Sequence, residues 1–407
     1  MLAVVTLVMA ASTIALVPSA RTAVAGDVDR TAAMRLDFPD PALIRVDKNY
    51  FAFATNINGA NVPVARSTDL QHWQIVADAI PPSHYPKWAS MRFLTWAPGV
   101  VQTASNRFLL YVSVPKADTG QQCIAVLAAS RPEGPYDDAK GSPLYCGGPG
   151  STGVIDPSPL RTFDGKMYLY TKDVSSSRQI WAHRLSADGT ALAPNGSTFI
   201  LTATAKWEAG GIENPTMVAT AQGWWLLYSG NYWKSDQYGV GAARCSGPLG
   251  PCQKVTTDQP WLSSDDGYVG PGGTSVITRA DGELIMGFHS WDGARSQRQL
   301  HTAPISLVGA RPALGSPPPQ GAVTIEVHYG YVHISGRVSD PSTRNPVRVV
   351  VAGARPLATA AVKQPAGTVS LDVGYTASDQ RICVAAFNNA PGPDTSLACV
   401  DLAVPPK

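Results

Sequence analysis

Asp40, Asp156 and Glu213 each lie at or beside a residue that precedes a proline, in Asp40-Pro41, Asp156-Pro157 and Glu213-Asn214-Pro215. Two more prolines keep the same beat, in Ala97-Pro98 and Gly270-Pro271, so five prolines follow one another at intervals of 57, 59, 58 and 56 residues. Acids that recur at one period converge in space if each period is one unit of a closed repeat architecture. Three carboxylates around one opening raise one another's pKa. That crowding can separate a carboxylate that stays ionised and activates water from one that keeps a proton for a leaving oxygen, the division of labour that glycosidic cleavage requires. Asp-Pro and Asn-Pro are also common turn dipeptides. One such pair would favour the turn reading; three acids in register favour the chemical one.

The elements that must position these acids follow the same period. About ten residues after each of the first four prolines comes an aromatic, strand-like run: Tyr50-Phe51-Ala52-Phe53, Phe108-Leu109-Leu110-Tyr111, Met167-Tyr168-Leu169-Tyr170 and Trp224-Trp225-Leu226-Leu227-Tyr228. The fifth, Leu284-Ile285-Met286-Gly287-Phe288, comes a few residues late. Further strand-sized runs fill each unit, among them Cys123-Ile124-Ala125-Val126-Leu127-Ala128 and Tyr238-Gly239-Val240-Gly241-Ala242-Ala243. No helical stripe of useful length interrupts them. Four short strands per unit and five units make an all-β, five-bladed β-propeller, in which closure removes the exposed sheet edges. The innermost strand of every blade would start at one mouth and bring Asp40, Asp156 and Glu213 to one ring.

Composition agrees. Charged residues are 15% of the 407, and glycine (37) and proline (34) are abundant, as turn-dense β structure requires. A formal charge of +2 without Lys/Arg clusters argues against nucleic acid as a partner. All ten tryptophans lie between Trp73 and Trp291, so the chain changes character after them. The divisions expected are a signal peptide over 1–25, the propeller over 26–311, a proline-rich linker over 312–321 and a small β-sandwich over 322–407, with turns at Pro341 and Asn345-Pro346. The signal reading rests on the apolar stretch Leu2 to Val17 and the small-x-small pattern Ala23-Val24-Ala25. A membrane anchor is the alternative, but the stretch is shorter than the ~20 residues that span a bilayer, and no later segment could span. The six cysteines lie in local pairs, Cys123 with Cys146, Cys245 with Cys252 and Cys383 with Cys399, and behind an export signal they read as disulfides. No CxxC, HxxxH or HExxH spacing proposes a metal. Gly148-Pro149-Gly150-Ser151-Thr152-Gly153 satisfies GxGxxG but precedes a strand, so no helix N-terminus is available for a pyrophosphate, and no GxSxG elbow is present.

The runs Asp40-Pro41-Ala42-Leu43-Ile44-Arg45, Trp96-Ala97-Pro98, Ile155-Asp156-Pro157-Ser158, Glu213-Asn214-Pro215 and Gly270-Pro271-Gly272, with Ser67-Thr68-Asp69-Leu70 and Trp73, resemble the blade signatures of glycoside hydrolase family 43 over roughly residues 36 to 308. The resemblance implies a five-bladed propeller acting as an arabinanase, α-L-arabinofuranosidase or β-xylosidase. It makes Asp40 the general base, Glu213 the general acid and Asp156 the residue that holds Glu213 and raises its pKa, in an inverting single displacement. Where the family usually has Asp after Trp-Ala-Pro this chain has Gly99, and where Gly-Pro-Gly is often followed by His it has Gly273. No cofactor is expected for the chemistry; a structural calcium in the channel, which the resemblance raises, stays open. His289 matches another family histidine and is a candidate for the channel, with a packed histidine at a strand end as the equal alternative. Phe38, Trp96 and Trp291 are candidates to stack on a sugar ring.

The expectation is therefore a secreted or cell-envelope glycosidase, monomeric, that takes a poly- or oligosaccharide containing arabinofuranosyl linkages. A β-xylosidase on the same scaffold, or an exported carbohydrate-binding propeller without catalysis, are the alternatives. The C-terminal sandwich resembles a small module at the end of exported actinobacterial proteins, with a carbohydrate- or envelope-binding role and a purely structural one equally open.

Overall fold

A computed structural model describes residues 30–402 except 91–93, 176–177, 210, 221–222, 309, 316–319, 340–346, 354–355, 364–366, 377–378 and 388–394. The expected signal segment, the Pro317-Pro318-Pro319 core of the linker and the turns at Pro341 and Asn345-Pro346 lie outside the described residues.

Five four-stranded antiparallel sheets follow one another along the chain. The first holds β1 (Ala42–Val46), β2 (Asn49–Phe53), β3 (Pro63–Ser67) and β4 (Gln74–Asp78); the second β5 (Trp96–Ala104), β6 (Arg107–Pro115), β7 (Gln122–Ala129) and β8 (Asp137–Asp138). The third holds β9 (Val154–Arg161), β10 (Met167–Asp173), β11 (Gln179–Leu185) and β12 (Leu192–Thr202); the fourth β13 (Ile212–Thr220), β14 (Gly223–Gly230), β15 (Gly239–Cys245) and β16 (Cys252–Lys254). The fifth holds β17 (Gly272–Thr278), β18 (Leu284–Trp291), β19 (Arg298–Ser306) and β20 (Ala313–Leu314). The first strand of each sheet contacts the first strand of the next, and β17 contacts β1, so the five close into a ring.

The aromatic runs are the second strands, and they are apolar throughout because both of their faces are buried. Phe108, Leu110 and Val112 of β6 face the first blade, while Leu109 and Tyr111 face the third. Tyr168 and Tyr170 of β10 pack with Leu226 and Tyr228 of β14, whose alternate residues Trp225 and Leu227 pack on Met286 and Phe288 of β18. The core is thus five wedges, one between each pair of neighbouring blades, and each buried large side chain contributes about 1.5–3 kcal/mol. The last wedge closes the ring. There Met34 and Phe38 pack with Leu43, Ile285 and Leu300, and the backbone N–H groups of Met34 and Phe38 donate to the carbonyls of Leu300 and Arg298 on β19. Ala313 and Leu314 pair with Ser306 and Ile305, so the start of the expected linker belongs to the fifth blade instead.

Seven more strands form two further sheets: β21 (Gln320–His328), β22 (Tyr331–Ser339) and β25 (Gly367–Gly374) in one, and β23 (Val347–Ala352), β24 (Pro356–Val362), β26 (Arg381–Phe387) and β27 (Thr395–Asp401) in the other. Val332, Ile334 and Val373 of one sheet and Val349, Val351 and Val384 of the other share one core, the arrangement of a β-sandwich. All three expected disulfides are present: Cys123–Cys146, Cys245–Cys252 and Cys383–Cys399.

Around the axis the inner strands approach closely. A Cβ at Gly99 on β5 would stand 2.2 Å from the Pro157 carbonyl oxygen and 2.4 Å from Pro159 Cδ on β9, so no side chain fits where the family usually has Asp. Gly99→Ala is expected to cost about 1–3 kcal/mol, read as a lower thermal midpoint, while Gly148→Ala, with nothing near its Cβ, leaves the midpoint unchanged; equal midpoints would remove the close-approach argument.

Candidate active site

Each inner strand has, within two residues of its first, a residue in left-handed backbone. Asp40 (φ 52°), Ala97 (44°), Asp156 (59°), Asn214 (46°) and Gly273 (63°) share this conformation. They line one cavity of ≈ 140 Å³ on the ring axis, together with the residues that follow them. In the second to fifth blades the pairing register slips at this point, the mark of a β-bulge that re-aims the side chains on either side. Asp, Asn and Gly tolerate the left-handed region, whereas Ala97 bears a cost of about 1–2 kcal/mol there.

The structure corrects the register read from the prolines in two places. In the fifth blade the equivalent residue is Gly273, three positions after Gly270, which makes the spacing 57, 59, 58 and 59 residues. In the fourth blade it is Asn214. Glu213 sits one residue earlier, paired with Ser229, where the other blades have Trp96, Ile155 and Gly272.

A bulge residue cannot use the sheet ladder, so its backbone N–H needs another acceptor. The preceding blade supplies it each time. Asp40 N–H donates to His289 Nδ1 (3.0 Å), Ala97 to Thr55 Oγ1 (2.8 Å), Asp156 to Ser113 Oγ (3.2 Å), Asn214 to Asp156 Oδ2 (2.9 Å) and Gly273 to Ser229 Oγ (2.9 Å).

The three acids stand in different surroundings. Asp40 Oδ2 accepts from Thr55 Oγ1 at 2.7 Å and lies 3.6 Å from Arg298 Nη1. Asp156 is buried, and burial first, then the charge of Glu213, pushes its pKa up to about 7 against the pull of Lys172. Glu213 holds Lys172 Nζ at 2.7 Å through Oε2 and the Tyr238 hydroxyl at 2.8 Å through Oε1. Burial works to discharge Lys172, but Glu213 and Asp156 outweigh it and raise its pKa. Electrostatic coupling of Asp156 to both Glu213 and Asp40 places the three within one field.

Among the other expected site residues, Trp96 is 36% exposed at the start of β5. Trp291 stacks on Trp233 (5.9 Å, 15°) and donates Nε1–H to its carbonyl oxygen, and the Arg298 guanidinium lies 4.5 Å from the Trp233 ring centre. Phe38 is fully buried in the closing wedge and offers no face to a sugar. His289 is also fully buried; burial, then Arg298, holds its pKa well down, so the neutral ring accepts from Asp40 at Nδ1. Calcium takes about six to eight oxygen ligands. Among the described residues no group of three His, Cys, Asp or Glu is placed for a metal.

Lys172, Tyr238, Arg298 and Trp233 were not legible as site residues. One signal was available for Lys172: Thr55, Ser113, Lys172, Ser229 and His289 each put a polar group at the end of an aromatic run, once per blade.

The family described as Glycosyl hydrolases family 43 matches residues 32–306. A Xylanibacter ruminicola protein named "Putative beta-xylosidase" is 24% identical over 285 residues, 68% of this chain and 49% of that protein. An extracellular endo-alpha-(1->5)-L-arabinanase of Thermotoga petrophila is 28% identical over 109 residues, 24% of this chain and 22% of that one. The chain thus spans half or less of these two relatives. The crystal structure of a thermostable family-43 glycoside hydrolase superposes with a TM-score of 0.63 at 24% identity, covering 71% of this chain and 96% of that one, which shows the fold.

The raised Asp156 pKa carries a stability signature. Between its ordinary value of 3.8 and about 7 the folded chain keeps a proton that the unfolded chain has lost, so its contribution is full at low pH and fades as pH rises. Asp156→Asn removes that dependence. From about pH 4 to pH 8 the melting temperature of the wild type should therefore fall relative to the variant by roughly 4 °C or more; parallel curves would show that Asp156 is not so perturbed.

Proposed function

The chain belongs to the glycosyl hydrolases of family 43, and we propose that it hydrolyses arabinofuranosyl linkages in a poly- or oligosaccharide by single displacement with inversion. The observation that carries this reading is that Asp40 and Asp156 line one axial cavity and that Glu213, beside the cavity-lining Asn214, is electrostatically coupled to Asp156.

Asp40 is the base. Thr55 and Arg298 fix the orientation of its carboxylate, and it takes a proton from the water that attacks the anomeric carbon. Glu213 is the acid and gives its proton to the leaving oxygen as the glycosidic bond breaks. Lys172 Nζ and the Tyr238 hydroxyl fix its two oxygens, and its charge is one cause of the raised Asp156 pKa. Inversion calls for the two working carboxyls roughly 6.5–9.5 Å apart, with water between them.

A xylosidase reading is favoured by the name of the Xylanibacter relative, and the substrate panel must include xylosides. The non-catalytic reading loses one of its motives, because Gly99 is a packing position whose lack of a carboxylate takes nothing from the three acids. Three disulfides suit an oxidising compartment and support export, with the two C-terminal sheets as a separate accessory domain.

Asp40→Asn and Glu213→Gln should each lower kcat by roughly 10²–10⁴-fold with unchanged melting temperatures, followed by proton NMR on linear arabinan, arabinoxylan and aryl arabinosides and xylosides. The first-formed anomer should be inverted relative to the substrate. Wild-type turnover in either variant would sink the assignment.

A further inference from the structure

Gly272 and Gly273 stand side by side at the start of β17, and each makes room for one ring. A Cβ on Gly272 would lie 2.1 Å from Tyr238 Cε1, and one on Gly273 2.6 Å from His289 Nδ1. The two rings are buried and stack with centres 6.2 Å apart at an interplanar angle of 8°. They also tie the two working acids together. His289 accepts the Asp40 backbone N–H, and the Tyr238 hydroxyl lies 2.8 Å from Glu213 Oε1 and 3.0 Å from Asn214 Oδ1.

A phenol has one proton to donate, and here two acceptors compete for it. While Glu213 holds its own proton, the neutral Asn214 amide oxygen is an adequate acceptor. Once Glu213 has given the proton away, its carboxylate is the stronger acceptor, because hydrogen bonds to an ionised partner are roughly twice as strong as neutral ones. The burial and neighbouring carboxylates that hold the Tyr238 pKa well up keep the phenol protonated throughout.

Resting on the assignment of Glu213 as the acid, we propose that Tyr238 is its positioning residue, a phenol that donates to Asn214 Oδ1 while Glu213 is protonated and turns to Glu213 Oε1 as the proton passes to the leaving oxygen. Tyr238 neither gains nor loses a proton. The bond to Glu213 is made as charge develops on it, so it favours the transition state over the ground state. Asn214 is the resting acceptor, which explains an amide beside the acid at a position whose backbone also admits Asp or Gly.

The test compares leaving groups. Tyr238→Phe keeps the ring between Gly272 and His289 and removes only the hydroxyl. On oligosaccharides, whose leaving alkoxide needs full protonation, kcat should fall by roughly tenfold or more, while on a 2,4-dinitrophenyl glycoside it changes less than about twofold, with KM within about twofold on both. The basic limb of the pH profile should move up in Tyr238→Phe, because the carboxylate has lost a donor. It should move down in Asn214→Gly, where the phenol has only Glu213 to bond, and the Asn214→Gly shift should vanish in the double variant. Asn214→Gly tolerates the left-handed backbone and carries the test if Tyr238→Phe fails to fold. Equal losses on both leaving groups, or limb shifts in the same direction, overturn the proposal while leaving the hydrolytic reading intact. A wild type that releases no sugar from any glycoside counts instead against that reading.

Discussion

Everything at the mouth of this ring depends on one backbone constraint: five N–H groups, each at the start of an inner strand, have left the sheet ladder and must be bonded from the blade before. A buried N–H left without a partner costs about 1–3 kcal/mol, so a failure at all five would rival the whole stability of a typical domain. The acceptors are His289, Thr55, Ser113, Asp156 and Ser229. Each bond crosses a blade boundary, so the same contact that satisfies the backbone locks neighbouring blades in register. Thr55 goes further, because its hydroxyl accepts from Ala97 N–H and donates to the Asp40 carboxylate.

This constraint makes the turn reading and the chemical reading of these positions compatible. A position in left-handed backbone selects Asn, Asp or Gly, and four of the five here are of those types. Asp40 and Asp156 meet the backbone requirement and bring an acid to the axis in the same residue. Asp156 then acts twice, since its Oδ2 accepts the Asn214 N–H where the other blades use a second-strand side chain or hydroxyl. The second-strand residue of that blade, Lys172, is thereby released from the backbone role and reaches Glu213.

The propeller was legible because its cause is repetitive. Both faces of every second strand are buried, so the aromatic runs are continuous, and their period survives in the sequence. The pairing of cysteines was legible because each pair is local. The register of the fifth blade was misread because Gly270-Pro271 resembles an anchor, while the functional equivalent, Gly273-Thr274, has no proline. Phe38 looked like a mouth aromatic from its place two residues before Asp40. It is instead part of the closing wedge, where the N-terminal segment lies along β19. Tyr238, Arg298 and Trp233 come from the residue just before the third strand of the fourth blade, the third strand of the fifth and a loop, and no periodic signal marks them. Their convergence is a property of blade curvature, which a linear pattern does not carry.

The displacement of Glu213 by one residue from the anchor series is what gives the acids unlike surroundings. Had it stood at 214, its side chain would have joined Asp40 and Asp156 among the cavity-lining anchors, and the three charges would have faced one another with few counter-charges. One residue earlier it lies opposite Ser229 across the bulge, outside the cavity lining, with Lys172 on one oxygen and Tyr238 on the other. Asp40 meanwhile has Arg298 on its own side. Glu213 thus has Lys172 and Asp40 has Arg298, while Asp156, without a salt bridge of its own among the described residues, has its pKa raised by burial first and by the Glu213 charge second, against the pull of Lys172. A single bulge, by turning adjacent residues to different sides, gives Glu213 surroundings unlike those of the cavity-lining acids while it stays electrostatically coupled to Asp156.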